Sequence, residues 1–389
     1  MPAQQEQKTQ LTRKAVVLAK VEETYGQPPA MEAKNGVLVN NGVDVEPTGE
    51  KVKRDVVRRT FSPAGAVIGA KKIIFKATVE LRGGGLDATG KVLPPDSEPF
   101  LLACGVQRTD VVRLAVSSVA GFLLGEEIAG STSNAKGTLH HIDGDNTLVL
   151  KAVTGTFQPE PVTGVSSTTL ADVISAAPGI EYRPITADPQ DQASTSVLFH
   201  KNAILYTVVG ARGTFTLNCG VNKYPLIEYT LTGLWTDPAD APTMPVPDYP
   251  KHKPPMFMGA NLVIDDYRPV VTELTYAMGN TIVDRLDANA ADGMVGVLIT
   301  GREATGTVNP EMDALASFNP WTKWKAAQTS RIATLFGSDP GNRVRLELPA
   351  AQYDGLKHAE RSGIAAYTAN YIANAHRDEG DDEWRMTIL

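Results

Sequence analysis

A short run in the middle of the chain restricts the fold more than any other feature. Leu274, Tyr276 and Met278 alternate with Glu273, Thr275 and Ala277. That period of two belongs to a strand with one buried face. Gly279-Asn280 interrupts the run, residues 287–293 read as a polar turn, and Val295, Val297 and Ile299 begin a second apolar strand. Asn309-Pro310-Glu311 then predicts a short helix, with an N-cap, a first-turn proline and an acid near the positive end. Strand and turn signals crowd this stretch, and it carries no catalytic constellation.

The alternation recurs. Ile73, Phe75, Ala77, Val79 and Leu81 make one face of a strand over residues 73–82, and Lys72, Lys76, Thr78, Glu80 and Arg82 make most of the other. It returns at Phe215, Leu217 and Cys219, at Ile227, Tyr229 and Leu231, at Val344, Leu346 and Leu348, and at Trp384, Met386 and Ile388. With 34 glycines and 26 prolines in the chain, this predicts a mainly β fold. An antiparallel sandwich or barrel is favoured over a parallel sheet with crossover helices. Helices should be one or two and short; Asn319-Pro320 can cap one that shows Trp321 and Trp324 on a common side. Residues 236–256 hold seven prolines and read as an extended arm. Residues 1–13 form a Gln-rich polar arm with little to bury.

Composition narrows the function. A length of 389 residues allows two or three domains and a sizeable core, and a charged fraction of 21% with 42% hydrophobic residues argues against wholesale disorder. The formal charge of −7 argues against a protein that grips nucleic acid by neutralising phosphates. Cys104 and Cys219 lack CxxC partners, so the chain reads as disulfide-free and assembled in a reducing place. The first nine residues hold no apolar signal core, and no run approaches the roughly 18 apolar residues that would span a bilayer.

Motifs with chemical meaning all fail at a required position. Residues 85–92 fit a phosphate-binding loop until Val92, where a magnesium-holding Ser or Thr is needed, and Leu93-Pro94-Pro95 stops the helix that must follow. Asp287, Asn289 and Asp292-Gly293 faintly resemble a calcium loop, yet the glycine is one place late and Leu298 stands where a glutamate should. On a regular strand His140 and His141 would point to opposite faces and share no metal. Neither a catalytic residue nor a cofactor is expected.

Between residues 119 and 177 serine, threonine and glycine rise. Two half-similar phrases appear there, Gly125-Glu126-Glu127-Ile128-Ala129-Gly130 and Gln158-Pro159-Glu160-Pro161-Val162-Thr163-Gly164. Short strand signals surround an Asp143-Gly144 turn between them. The segment resembles a small β module that recurs in phage virion proteins, where a Gly-Glu phrase precedes a Thr-Ser-x-Ala-x-Gly phrase, here residues 132–137. It reads as an insertion, giving a first part at 1–119, a small external β module at 120–178 and a second part at 179–389.

The remainder resembles the major tail-tube protein of long-tailed bacteriophages. The resemblance rests on ordered phrases: residues 11–20, Glu23-Thr24-Tyr25-Gly26, residues 36–39, residues 54–58 and Leu101-Leu102-Ala103-Cys104-Gly105 at the front. Further on come Gly210-Ala211-Arg212-Gly213-Thr214, residues 233–238, residues 278–280, residues 284–289, Thr300-Gly301-Arg302, Asn309-Pro310-Glu311 and residues 349–352. It departs from the minimal family pattern at the inserted module and at the proline arm. The resemblance implies a tube-type β-sandwich or barrel, with six copies in a ring and rings stacked into a conduit for DNA ejection. It also implies a virion-tail location, assembly in the host cytoplasm, and contact with tape-measure, tail terminator and distal tail proteins. A related ring protein at the tail tip, or a carbohydrate-binding virion module, is the alternative.

The strongest charge feature is the basic run at residues 51–59. Lys51, Lys53, Arg54, Arg58 and Arg59 are candidate intersubunit contacts, with Asp381, Asp382 and Glu383 of the acidic stretch as candidate partners on a neighbour. The usual meaning of such a basic run is a solvated face, and the acidic stretch likewise reads as an exposed loop before the last strand.

Overall fold

The alternating segments become strands, joined by turns instead of crossover helices. The computed structural model describes residues 14–389, so the Gln-rich arm lies outside the described residues. The chain opens with β1 (Ala15–Val21), β2 (Gly36–Val37), β3 (Asp44–Lys53) and β4 (Ala66–Glu80), then α1 (Glu98–Ala103) and β5 (Val106–Val116). β6 (Glu127–Gly130), β7 (Lys136–Asp143), β8 (Thr147–Thr154), β9 (Pro161–Gly164) and the long β10 (Leu170–Pro184) follow. Next are β11 (Thr195–Lys201), β12 (Ile204–Gly220), β13 (Leu226–Leu234), β14 (Ala239–Asp240), β15 (Val263–Ile264) and β16 (Val271–Ala277). The chain ends with β17 (Asn280–Leu286), β18 (Met294–Arg302), β19 (Thr305–Pro310), α2 (Pro320–Lys325), β20 (Thr329–Phe336), β21 (Val344–Arg361), β22 (Ile364–Ala373) and β23 (Arg385–Ile388).

Neighbouring strands pair antiparallel. The main layer runs β3-β4-β13-β12-β16-β19-β22-β21-β23-β10-β5. The N-terminal half of β12 leaves that layer to pair with β11, and through it with β1 and β2. α1 sits in the core with Phe100, Leu101 and Ala103 buried. Phe100 packs edge-on to Tyr229 at 5.3 Å, Phe215 bridges Tyr229 and Trp384, and Trp384 stacks on Tyr276 at 5.3 Å. Leu274, Tyr276 and Met278 all fall in this core, as the period-two pattern requires. Burial of each such side chain contributes about 1.5–3 kcal/mol. The result is a mainly β, sandwich-type body, with two short α-helices among the described residues.

A second apolar core belongs to a small closed barrel. β5, β8, β7, β6, β9 and β10 pair in that order, and β10 returns to β5. Ile128, Leu139, Leu148, Leu150, Val162 and Val173 fill it. Leu114 and Val116 of β5, which precede residue 120, contribute to the same interior. Closure removes every exposed edge from the barrel.

Several expectations need correction. Asn309-Pro310-Glu311 caps no helix: Asn309 and Pro310 end strand β19, and Glu311 bridges Ala366. The Asn309 carboxamide oxygen accepts from the amides of Thr272 and Glu273 (3.1 and 2.8 Å), filling a bulge in β16. Its local sequence is compatible with a cap, but the long-range sheet claims the side chain. His140 and His141 do not diverge, because a bulge between Leu139 and His141 turns both rings toward Glu181. α1 carries no strong periodic signal and was not foreseen. The 73–82 strand begins earlier, at Ala66, and ends at Glu80. Within the proline arm Ala239 and Asp240 pair with β12, and the remainder has no regular structure. The cap of α2 is as expected: Asn319 accepts from the Thr322 amide, and both tryptophans donate toward the β21–β22 hairpin, Trp321 to the Tyr367 hydroxyl and Trp324 to the Asp354 carbonyl.

Candidate assembly surface

The basic run sits on a projecting hairpin. β4 pairs with β13 only from Lys72 onward, whereas β3 and β4 continue to pair out to Lys53 and Ala66. Residues 49–53 and 66–71 therefore form a two-stranded ribbon beyond the body, closed by residues 54–65. Such a ribbon is marginal by itself. Its base is braced: Lys71 bonds Asp292 through both amide and ammonium groups, and Lys72 pairs with Asp284 at 2.6 Å. The polar turn at 287–293, between β17 and β18, is thus a strut under the hairpin.

The outer part of the hairpin is apolar as well as basic. Val52 lies opposite Val67, and Lys51 opposite Ile68. Val52, Val56, Val57, Phe61, Val67 and Ile68 are all exposed, Val57 and Phe61 fully so. Lys51, Lys53, Arg54, Arg58 and Arg59 are exposed. Among the described residues none of the five has an ion-pair partner; Arg58 has only a 3.5 Å bond to the Pro63 carbonyl. A cluster of this size without a covering element is a candidate interaction surface.

The acidic stretch is engaged within the chain. Asp381 accepts from the Thr186 amide and hydroxyl (2.8 and 2.7 Å) and from Arg302 at 3.0 Å. Glu383 accepts from the same guanidinium at 2.7 Å. Asp382 is buried and accepts from the His376 amide and from Arg377, both at 2.9 Å. These bonds pin the segment before β23 to the end of β18. The structure brings the five cations together and the three acids together, and the two groups do not meet inside one chain.

Residues 85–92 form a loop. Leu86 bridges Val92, the Asp87 carboxylate accepts from the amides of Thr89 and Lys91, and Lys91 pairs with Asp110 at 2.7 Å. The segment opens no helix at that point. Gln107, Thr186, Gln192, Ile299 and the Arg302–Glu383 pair line a recess of about 380 Å³. Among the described residues no group of three His, Cys, Asp or Glu is placed to hold a metal, and no helix is long and apolar enough to cross a membrane. Cys104 and Cys219 are free and buried, and burial pushes both thiols upward.

Sequence reasoning singled out the cations and missed the exposed apolar residues beside them. Val57 and Phe61 lie outside any alternating pattern, so only the geometry shows them unsupported. It also missed the buried charge cluster between barrel and body, where Asp143 meets Arg113, Arg345 and Arg385. The residues come from β5, β7, β21 and β23, with no spacing to announce them.

The comparison with known families agrees with this architecture. A family model described as phage tail tube protein matches residues 12–368. No curated protein matches the chain. The match spans most of the sandwich body and the small barrel, and the chain belongs to the phage tail tube protein family, a structural component of the virion tail.

Proposed function

We propose that the chain assembles through its β3–β4 hairpin into closed rings, six copies to a ring, that stack into the tail tube and conduct DNA at ejection. The observation that carries this reading is the projecting hairpin, with Val57 and Phe61 exposed and five cations that have no ion-pair partner among the described residues. A neighbouring copy would bury the apolar residues and supply acids to the cations. Asp381, Asp382 and Glu383 are the candidates named by sequence, and any such contact would add to the bonds they already make. Head-to-tail contacts of this kind close into rings and leave faces free to stack. The role is structural and not enzymatic, with assembly in the host cytoplasm around a tape-measure protein and between terminator and distal tail proteins.

The inner wall in this reading is neutral to acidic. Duplex DNA carries one charge per roughly 1.7 Å of axis, so a basic lumen repeated through many rings would hold it. The chain's charge of −7 makes such a wall easy to build, with the basic hairpin at subunit contacts. We place the 120–178 module on the outside, as an insertion between the parts at 1–119 and 179–389.

Sedimentation of two variants tests the hairpin. Arg54→Glu with Arg58→Glu, and Val57→Ser with Phe61→Ser, change exposed residues and should leave the far-UV spectrum intact. Loss of rings and tubes in both supports the reading; unimpaired assembly in both removes the hairpin from it.

A further inference from the structure

The small barrel is built twice. A fixed offset of 34 residues carries Glu126 to Glu160, Gly130 to Gly164, Thr132 to Ser166 and Ser133 to Ser167. It relates the strand pairings too. Ala129 opposite Lys136 becomes Thr163 opposite Leu170, and Leu139 opposite Leu150 becomes Val173 opposite Val116. Equivalent residues face one another where a twofold axis would pass, Leu114 opposite Leu148 and Ala129 opposite Thr163. Irregularities repeat as well. The bulge between Leu139 and His141 returns between Val173 and Ser175, and the left-handed Asn134 (φ 55°) returns as Thr168 (φ 58°). Chance does not place a bulge, a left-handed residue and a register at one offset.

The halves hold each other by exchange. The Glu126 carboxylate accepts from the amides of Ser166 and Ser167 (3.1 and 2.9 Å) and from the Ser167 hydroxyl, all in the second copy. Glu160 accepts from the amides of Thr132 and Ser133 (2.7 and 2.8 Å) and from the Ser133 hydroxyl, all in the first. A β-carbon at Gly130 would come within 2.6 Å of Glu160, and one at Gly164 within 2.6 Å of Glu126, so both glycines make room for the clasp.

The two copies differ at the face that meets the body. His140, His141 and Asp143 of the first copy correspond to Ile174, Ser175 and Ala177 of the second. The first set is buried against the body. His141 Nε2 is 2.7 Å from Glu181, and Asp143 lies 3.3 Å from Arg345 and 3.5 Å from Arg385. The second set is uncharged, with Ile174 and Ser175 exposed. We propose that the inserted barrel is a duplicated unit whose two copies clasp each other through Glu126 and Glu160, and that the charges gained by the first copy alone fix its orientation on the tube body.

Residue-level hydrogen exchange on the full-length protein tests both halves of the proposal. In one variant residues 160–169 take the sequence of residues 126–135; in a control those ten residues are scrambled. Equivalence of the copies requires the amides at positions 128 and 162 to stay within about threefold of wild type in the first variant and to lose protection in the control. A second variant, His140→Ile with His141→Ser and Asp143→Ala, should leave the barrel interior protected and speed exchange at residues 180–182, where β10 meets β23, by at least about tenfold. Loss of barrel protection in the first variant would overturn the duplication. Unchanged exchange at residues 180–182, or an unfolded barrel, in the second would overturn the docking role.

Discussion

Arg212 lies over the ring of Tyr25, with its guanidinium carbon 4.7 Å from the ring centroid. The same guanidinium donates to the carbonyls of Gln192, Ala193 and Val297 at 2.5, 3.2 and 2.7 Å, and it is buried. Tyr25 in turn donates to the Gly210 carbonyl at 3.0 Å and accepts from the Val297 amide at 2.9 Å. Two phrases far apart in sequence, Glu23-Thr24-Tyr25-Gly26 and Gly210-Ala211-Arg212-Gly213-Thr214, therefore meet at one node. It ties β12 to β18, and so to the strut beneath the hairpin.

Removing the guanidinium should leave three carbonyls without donors. Arg212→Ala is expected to destabilise the chain by about 3 kcal/mol, the range for an orphaned buried polar network. Urea unfolding followed by tryptophan fluorescence measures it, and a loss under about 0.5 kcal/mol would mean the node is unimportant.

Trp384 stacks on Tyr276 within the main core and is fully buried. Trp384→Ala should cost about 3–5 kcal/mol through lost burial and the cavity left behind. Differential scanning calorimetry of the soluble variant would register that as a lower Tm, with Trp384→Phe showing a smaller decrease.

The barrel clasp should resist acid. Burial works to raise the Glu160 pKa, but the Ser133 hydroxyl and the amides of Ser133, Thr132 and Gln158 outweigh it and lower the pKa to about 2. A carboxylate depressed in the folded state stabilises above its unfolded pKa and loses that contribution as pH falls through the folded one. Exchange protection at Ile128 and Val162 should thus decline between about pH 4.5 and pH 2. Glu160→Gln should flatten that decline.

The joint between barrel and body should behave in the opposite sense. Burial lowers the His141 pKa, yet the Glu181 charge and hydrogen bonds with Asp143 and Glu181 exceed it, and the net shift is upward despite Arg385. The surrounding charges come from every side: Arg113 on β5, His140 and Asp143 on β7, Asp145 in the following turn, Glu181 and Arg183 on β10, Arg345 and Glu347 on β21, and Arg385 on β23. Stabilisation by protonated His141 is fully present below its unfolded pKa and is lost as pH rises through the folded value. Exchange at residues 180–182 should accelerate as pH climbs above the ordinary histidine range, beyond the intrinsic base-catalysed rate. An identical acceleration in His141→Gln would contradict this.

Much of the body was legible in the sequence because one buried face writes period two into a strand. Ile73 through Leu81 and Leu274 through Met278 are of this kind. The strong cap at Asn319 was equally local. What escaped depends on distant partners. Asn309 looks like a cap until Thr272 and Glu273 claim its side chain. His140 and His141 diverge on an ideal strand and converge only through a bulge. The five cations were visible as a run of charge, whereas the exposure of Val57 and Phe61 follows from where β13 stops pairing with β4 at Lys72.

Negative-stain electron microscopy of the purified wild-type chain tests the assembly most directly. Rings with sixfold views, or tubes of stacked rings, are the expected result. Compact monomers or trimers at concentrations where the hairpin variants look the same would contradict it.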